Sequence, residues 1–324
     1  MSGGGRLSDQ QRQTVEVLLA TYNGERFLRE QIDSILSQDY ADLRVLARDD
    51  GSSDGTVSIL NEYSERFPSR FRIMPQGPKS GSAKSNFLLL MQESPAPYIC
   101  FSDQDDVWLP DKVSKTKQAM EKLESLWGRE VPLLVFTDLR VVDDHLRTLH
   151  ESFWVHEGIE PDRIKQLPLL LSRNVVTGCT AMLNRSLSEI ALRMPSEASM
   201  HDCWIGLLAS AMGKAKAVNV QTVLYRQHDR NVVGVEKRTG TFSESVQRLR
   251  RRNARQVQRE VSQREAEALL KTHSAELSPG HRDMLRAYLR YGVGSNKLLR
   301  AAVFIRYGLC KLRSMKDIAM MLDI

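Results

Sequence analysis

The chain has 324 residues, 41% hydrophobic and 27% charged, which supports a sizeable core and excludes wholesale disorder, collagen and a disulfide scaffold. Its net charge of +6 is uneven: residues 242–324 carry +9 and the first 241 carry −3, so the basic end, not the body, faces any polyanion. Four scattered cysteines without Cys-x-x-Cys argue against a zinc cage and fit a reducing compartment; the polar start and the absence of an eighteen-residue apolar run predict neither signal peptide nor spanning helix.

The first half alternates β-rich runs with helical patterns, which predicts an α/β fold with a partly parallel sheet. Residues 15–20 read as a strand, followed by Tyr22-Asn23-Gly24 and a helix with Leu28, Ile32, Ile35 and Leu36 on one face. A second strand, 43–47, runs into Asp49-Asp50-Gly51-Ser52-Ser53-Asp54-Gly55-Thr56 and a helix to about residue 67. A strand at 71–74, a Gly/Ser/Lys loop over 77–85 and a helix near 87–92 lead to the buried strand 98–102 and Asp103-Gln104-Asp105-Asp106. Further strands are expected at 133–142, 177–184 and 217–225, and beyond residue 241 the pattern is helical and basic. The expected division is a catalytic domain over 1–241 and a basic helical region over 242–324.

Ligands of open α/β sheets gather at the carboxyl ends of strands, and three successive predicted strands end in polar clusters. Asp103-x-Asp105 offers two carboxylates on a rigid support, as a Mg²⁺ or Mn²⁺ ion serving a diphosphate requires. Closely spaced acids repel one another, and a bound cation relieves that cost. The bland alternatives are a solvated turn or a helix N-cap. An EF-hand reading of the Asp50 segment fails because Asn61 stands where the bidentate Glu belongs. A dinucleotide-binding loop fails for want of glycines after the first strand, and no P-loop is present.

Thr21-Tyr22-Asn23-Gly24, Arg48 to Thr56 and Phe101 to Trp108, in that order and spacing, resemble the nucleotide-sugar domain of family 2 glycosyltransferases. Asn174-Val175-Val176-Thr177-Gly178, Met200-His201-Asp202-Cys203-Trp204 and Tyr225-Arg226-Gln227-His228-Asp229 extend the resemblance toward bacterial rhamnosyltransferases of surface-polysaccharide synthesis. The resemblance implies a GT-A fold, Rossmann-like with a mixed central sheet, and a helical C-terminal extension. It implies that Thr21, Tyr22 and Asn23 line the base pocket and that Asp50, or its neighbour Asp49, accepts the imide N–H. Asp105 would be the principal ligand of Mg²⁺ or Mn²⁺, with Asp103 and His228 beside it; Arg226 would face the donor, and Asp106 would support the ion or cap the next helix, while Lys84, by its place in the Gly/Ser loop, either faces the diphosphate or is a solvated loop lysine. Asp202 would be the general base of an inverting transfer, and Trp204, His201 and Trp108 are candidates for the acceptor side. His201-Asp202 stands where many members have Glu-Asp, and a helix N-cap is the bland reading of Asp202.

The implied reaction moves L-rhamnose from dTDP-rhamnose to a surface-polysaccharide or lipid-linked acceptor. Rivals are a UDP-hexose or UDP-N-acetylhexosamine donor and a non-catalytic sugar-nucleotide-binding scaffold. Lacking the Gln-x-x-Arg-Trp motif of processive synthases, the chain is expected to add one or a few sugars. Residues 297–313 place Leu298, Ala302, Ile305, Leu309 and Leu312 on one helical face among five basic residues, which fits an anionic membrane surface or packing on the body. The expected location is therefore the cytoplasmic side of the cell membrane. Arg248-Leu249-Arg250-Arg251-Arg252 lacks interleaved aromatics, so no nucleic-acid partner is expected.

Overall fold

Strict alternation along the strands sends apolar side chains to both faces of one sheet. In β1 (Val15–Thr21), Val15, Val17 and Leu19 enter one core while Leu18 enters the other. The computed structural model describes residues 13–228, 244–291 and 305–307, with side chains of the long helix from residue 256 onward. The remaining strands are β2 (Leu43–Asp49), β3 (Phe71–Ile73), β4 (Tyr98–Ser102), β5 (Val107–Trp108), β6 (Leu133–Val142), β7 (Thr148–His150), β8 (Ala181–Asn184) and β9 (Lys214–Arg226). Among the described residues they form one mixed sheet in the order β3-β2-β1-β4-β8-β6-β9-β5, with β7 on β6.

The helices are α1 (Leu28–Leu36), α2 (Thr56–Arg66), α3 (Ala83–Glu93), α4 (Lys112–Trp127), α5 (Phe153–Glu157), α6 (Leu167–Ser172), α7 (Arg185–Ala191), α8 (His201–Met212), α9 (Glu244–His273) and α10 (Pro279–Tyr291). Leu28 and Ile32 of α1, Ile59 and Tyr63 of α2, and Val113 and Met120 of α4 cover one face. Phe87, Leu170, Leu187 and Trp204 bring α3, α6, α7 and α8 onto the other. Ala266, Leu269, Leu285 and Tyr288, from α9 and α10, enter that same second core. The described part of the C-terminal region is thus continuous with the body and shares its apolar interior.

Three features of the topology build the site. Strands β2, β1 and β4 are parallel neighbours, with Thr21 opposite Asp49 and Leu19 opposite Ser102, so their polar carboxyl-end clusters lie side by side. Strand β8 runs antiparallel to β4, which returns the 3₁₀ turn Gly178–Thr180 to the end of β4. The turn takes the first half of the predicted 177–184 strand, closed by the Thr180 N–H and hydroxyl, which both donate to the Thr177 carbonyl. Lastly, β5 pairs antiparallel with β9, bringing Arg226 and His228 back to the loop that contains Asp105. The proposed amphipathic segment 297–313 lies outside the described residues except for 305–307, and the side chains of Arg248 to Arg252 lie outside them too.

Candidate active site

The first two loops are stitched together before any ligand is considered. Asn23 takes a left-handed backbone (φ 49°), its N–H donates to Ser52 Oγ at 2.8 Å, and its Oδ1 accepts from the Ser53 N–H at 2.8 Å. Asp49 accepts the Gly51 and Ser52 N–H groups at 2.9 and 2.8 Å and the hydroxyls of Ser52 and Thr21. Four donors fill its lone-pair positions. Asp50 accepts the N–H groups of Ser80 and Gly81 and the Arg48 guanidinium, whose Nη1 is 2.9 Å away. Burial disfavours its charge, but these bonds outweigh burial and hold the carboxyl below its ordinary range. Of the two candidate imide acceptors, Asp50 keeps an acceptor position on Oδ2 and Asp49 does not.

Tyr22 is 53% exposed at the rim, with Lys79 Nζ 5.7 Å from its ring centre. Its backbone is gripped from the third loop: Gln104 Oε1 accepts the Tyr22 N–H at 2.8 Å and Gln104 Nε2 donates to the Tyr22 carbonyl at 2.9 Å. Gly24 makes room, since a Cβ there would lie 2.2 Å from Gln104 Oε1. Composition alone gives no signal for Gln104, because its role depends on which loops become neighbours.

The acids converge behind that bridge. Burial, then the charges of Asp105 and Asp202, pushes the Asp103 carboxyl up to about 7. Asp103 is therefore within electrostatic reach of Asp105 in its own loop and of Asp202 from a distant stretch of sequence. His228 Nε2 lies 3.0 Å from Asp105 Oδ2. Asp106 is fully buried; its Oδ1 accepts the Arg226 N–H at 3.2 Å, and its Oδ2 has no protein partner among the described residues. Burial foremost, then Asp105 and Asp103, raises its carboxyl well above the usual range, and burial likewise keeps Cys179 a thiol.

The donors of Asp103, Asp106 and Cys179 all lie within 4.8 Å of one another. Asp103 and Asp106 supply oxygen donors of the kind that fits Mg²⁺ or Mn²⁺, whereas neutral Cys179 is a poor ligand for either ion. Asp105 and His228 pair with each other and are not members of that three-residue group.

Asp202 stands in the first turn of α8. Its Oδ2 accepts the Gly178 N–H at 3.2 Å and its Oδ1 accepts the Cys203 N–H at 2.7 Å. The turn before β8 thus holds Asp202 from outside its own helix. A Cβ at Gly178 would approach His201 Nε2 to 2.7 Å, so a larger residue there would force that buried ring to shift.

Five sequence-based assignments are displaced. Lys84 lies in the first turn of α3 and donates to the carbonyls of Ser196 and Ala198, at 2.7 and 2.5 Å, so its charge is spent on a loop and not on a diphosphate. Arg226 is 1% exposed: it donates to the Asp105 and Asp144 carbonyls and to Glu30, and covers the Phe27 ring. It braces the loop over residues 103–106 from within. Trp204 is fully buried beside His273, and Trp108 is buried with Lys112 Nζ 4.3 Å from its ring, so neither offers a face to a sugar. His201 is packed against Phe87 and Phe101, and burial lowers its pKa; it too belongs to the core. Apolar packing competes for aromatic and imidazole rings, and spacing alone cannot separate the two uses.

The family profile described as Glycosyl transferase family 2 matches residues 16–191, more than half of the chain. Over 227 residues the chain is 27% identical to dTDP-rhamnosyl transferase RfbG of Shigella flexneri, covering 67% of this chain and 73% of that protein. Its fold is similar to S. aureus TarS 1-349 in complex with UDP, with a TM-score of 0.56, 16% identity and coverage of 86% and 70% of the two chains. It is also similar to the mannosyltransferase PcManGT from Pyrobaculum calidifontis in complex with GDP-Man and Mn2+, with a TM-score of 0.52, 18% identity and coverage of 96% and 79%. The GT-A expectation holds: a mixed α/β sheet with the polar clusters at the carboxyl ends of its parallel strands.

Proposed function

The chain belongs to glycosyl transferase family 2, and from that premise we propose an inverting, metal-dependent enzyme that moves L-rhamnose from dTDP-rhamnose onto a surface-polysaccharide or lipid-linked glycan. That it is a glycosyltransferase using a nucleotide-sugar donor follows from the family; the sugar, the ion and the acceptor are the proposal. One observation supports it most: Asp202 accepts the Gly178 N–H at 3.2 Å, and the next residue, Cys179, has its sulfur within 4.8 Å of the Asp103 and Asp106 donors, which fits one site served by the strand-end acids and the base.

In this reading Tyr22 and Asn23 border the base, Thr21 buttresses Asp49, and Asp50 accepts the imide N–H through its remaining lone pair. Asp105, Asp103 and His228 would hold the ion. When bound, that ion supplies charge stabilisation to the departing diphosphate. Asp202 takes the proton from the acceptor hydroxyl as that oxygen bonds to the anomeric carbon. The bond from the anomeric carbon to the diphosphate breaks on the opposite face, and its electron pair leaves with the diphosphate oxygen. Arg226, buried, and Gln104, half-buried, orient the loops through hydrogen bonds and add preorganisation, not charge at the reacting atoms.

The relationship to the dTDP-rhamnosyl transferase supports rhamnose. A UDP-hexose is the second reading, because uracil and thymine present the same imide edge to Asp50. Thermal shift against dTDP-rhamnose, UDP-glucose and UDP-N-acetylglucosamine, with and without Mn²⁺, separates them: the largest Mn²⁺-dependent shift is expected with dTDP-rhamnose, and a larger one with a UDP-sugar overturns that donor. Mn²⁺-dependent donor hydrolysis by the purified protein distinguishes an enzyme from a scaffold. Asp105→Ala is expected to abolish that hydrolysis with the fold intact.

No helix among the described residues is long and apolar enough to cross a membrane. The basic segment 297–313 is proposed to rest on anionic lipid at the cytoplasmic face, where a lipid-linked acceptor would be met. Sedimentation with phosphatidylglycerol vesicles, with Lys297, Arg300, Lys311 and Arg313 intact or all changed to Gln, tests it; equal partitioning discards the membrane role.

A further inference from the structure

Helix α8 carries Asp202 but does not secure its own entry. Its N-cap, Met200, makes no side-chain cap hydrogen bond, and Asp202 spends its carboxylate on Gly178 and Cys203. The direction in which α8 starts is therefore left to residues 195–200. Lys84 grips that loop from α3 through the Ser196 and Ala198 carbonyls. The opposite grip comes from the C-terminal region, where the Ser199 hydroxyl donates to Glu265 of α9 and the Ser199 N–H does so as well.

Glu265 is an odd residue to find there, being 5% exposed on a helix that otherwise turns Ala266 and Leu269 into the core. Burying a carboxylate costs free energy, so its local return has to be sought in geometry. The charge of Asp202 is among those acting on Glu265, which places the two acids close together, and the Cys203 thiol interacts with both Ser199 and Asp202. The same pair of C-terminal helices holds α8 elsewhere too. His273 of α9 packs on Trp204 with ring centres 5.9 Å apart, and His281 Nδ1 of α10 donates to the Ala211 carbonyl, at the end of α8, at 2.9 Å. Both ends and the middle of α8 are thus fixed from beyond residue 241.

We propose that Glu265 is a positioning residue for Asp202, holding through Ser199 the loop that sets the start of α8, so that the C-terminal helices form part of the reacting site. The proposal rests on the reading of Asp202 as general base. A displacement of about 1 Å in a reacting group can cost roughly a hundredfold in rate, so loosening this loop is read in turnover, not in donor binding.

The test uses the full chain with Mn²⁺, following hydrolysis of dTDP-rhamnose and UDP-glucose, water serving as acceptor, beside titrations with dTDP and UDP. Glu265→Ala and Ser199→Ala are each expected to lower kcat roughly tenfold to a hundredfold while nucleotide Kd stays within about twofold. Their combination should be no worse than Glu265→Ala alone, because that change already removes the bonds from both the hydroxyl and the N–H of Ser199. Glu265→Gln keeps an acceptor oxygen for Ser199 and should restore kcat to within about threefold of the parent. Ser199 is exposed, so its variant decides the matter if Glu265→Ala does not fold. Unchanged kcat in Ser199→Ala, with Asp202→Asn inactive, overturns the positioning role and leaves the base standing. Glu265→Gln falling as far as Glu265→Ala overturns it too. Full hydrolysis by Asp202→Asn overturns the base assignment itself.

Discussion

Asp49 and Asp50 are adjacent in sequence, point into one polar corner and do different work. Asp49 closes its own loop through the Gly51 and Ser52 N–H groups, whereas Asp50 reaches across to Ser80 and Gly81 and pins the next loop. Because Asp50 is held below its ordinary range, the stabilisation it gives is fully present above the unfolded carboxyl's pKa of about 3.9. It is lost as pH falls through the lower folded value. Asp50→Asn should therefore lower stability at pH 7, by about 1–3 kcal/mol, and flatten the acid limb of the stability curve below about pH 4. Urea unfolding at pH 3 to 7 checks this; equal slopes for the two proteins would contradict it. The chemistry-bearing residues were legible in the sequence because charge in a strand-end cluster is conspicuous. Which lone pairs remain free was not, since the donors Ser80 and Gly81 are some thirty residues away.

At the scale of elements, β4 and β6 match their predicted limits, and β1 and β2 run only one and two residues further. Buried on both faces, each is a dense apolar run bounded by polar loops. Strands β5 and β7 were missed: two and three residues long, they exist because β9 and β6 present edges to them. Helix α8 shows the harder failure. Its first turn carries Asp202, the proposed base, and two residues later Trp204 turns wholly into the core, so one motif contains both a candidate reactive side chain and a structural one. Trp204→Ala is accordingly expected to cost about 3–5 kcal/mol of stability. Its surviving activity at low temperature should show no selective rise in acceptor KM. A protein of parental stability with a raised acceptor KM would restore Trp204 to the acceptor side.

At the scale of the whole molecule, the described helices of the basic C-terminal region pack on the body, one of the two arrangements their sequence leaves open. Residues of α9 and α10 contribute Ala266, Leu269, Leu285 and Tyr288 to the core that also holds Phe87 and Trp204. Amphipathic helices of opposite charge balance look like a separate unit in sequence, because composition reports the outer face and not what the inner face meets. A chain ended at residue 241 exposes that core and should lose cooperative unfolding, whereas the intact protein should melt in one transition by calorimetry. A truncated chain that melts as sharply as the parent would show that the two regions fold independently.

The central claim is that acids from β4 and α8 serve one reacting centre. Anomalous diffraction from a crystal grown with dTDP and Mn²⁺ tests it most directly. The account predicts a manganese peak bonded to the Asp105 carboxylate at about 2.2 Å, beneath the diphosphate, with the Asp202 carboxylate facing the same cavity. Manganese bound away from Asp103 and Asp105, or Asp202 opening into a different cleft from the nucleotide, would contradict it.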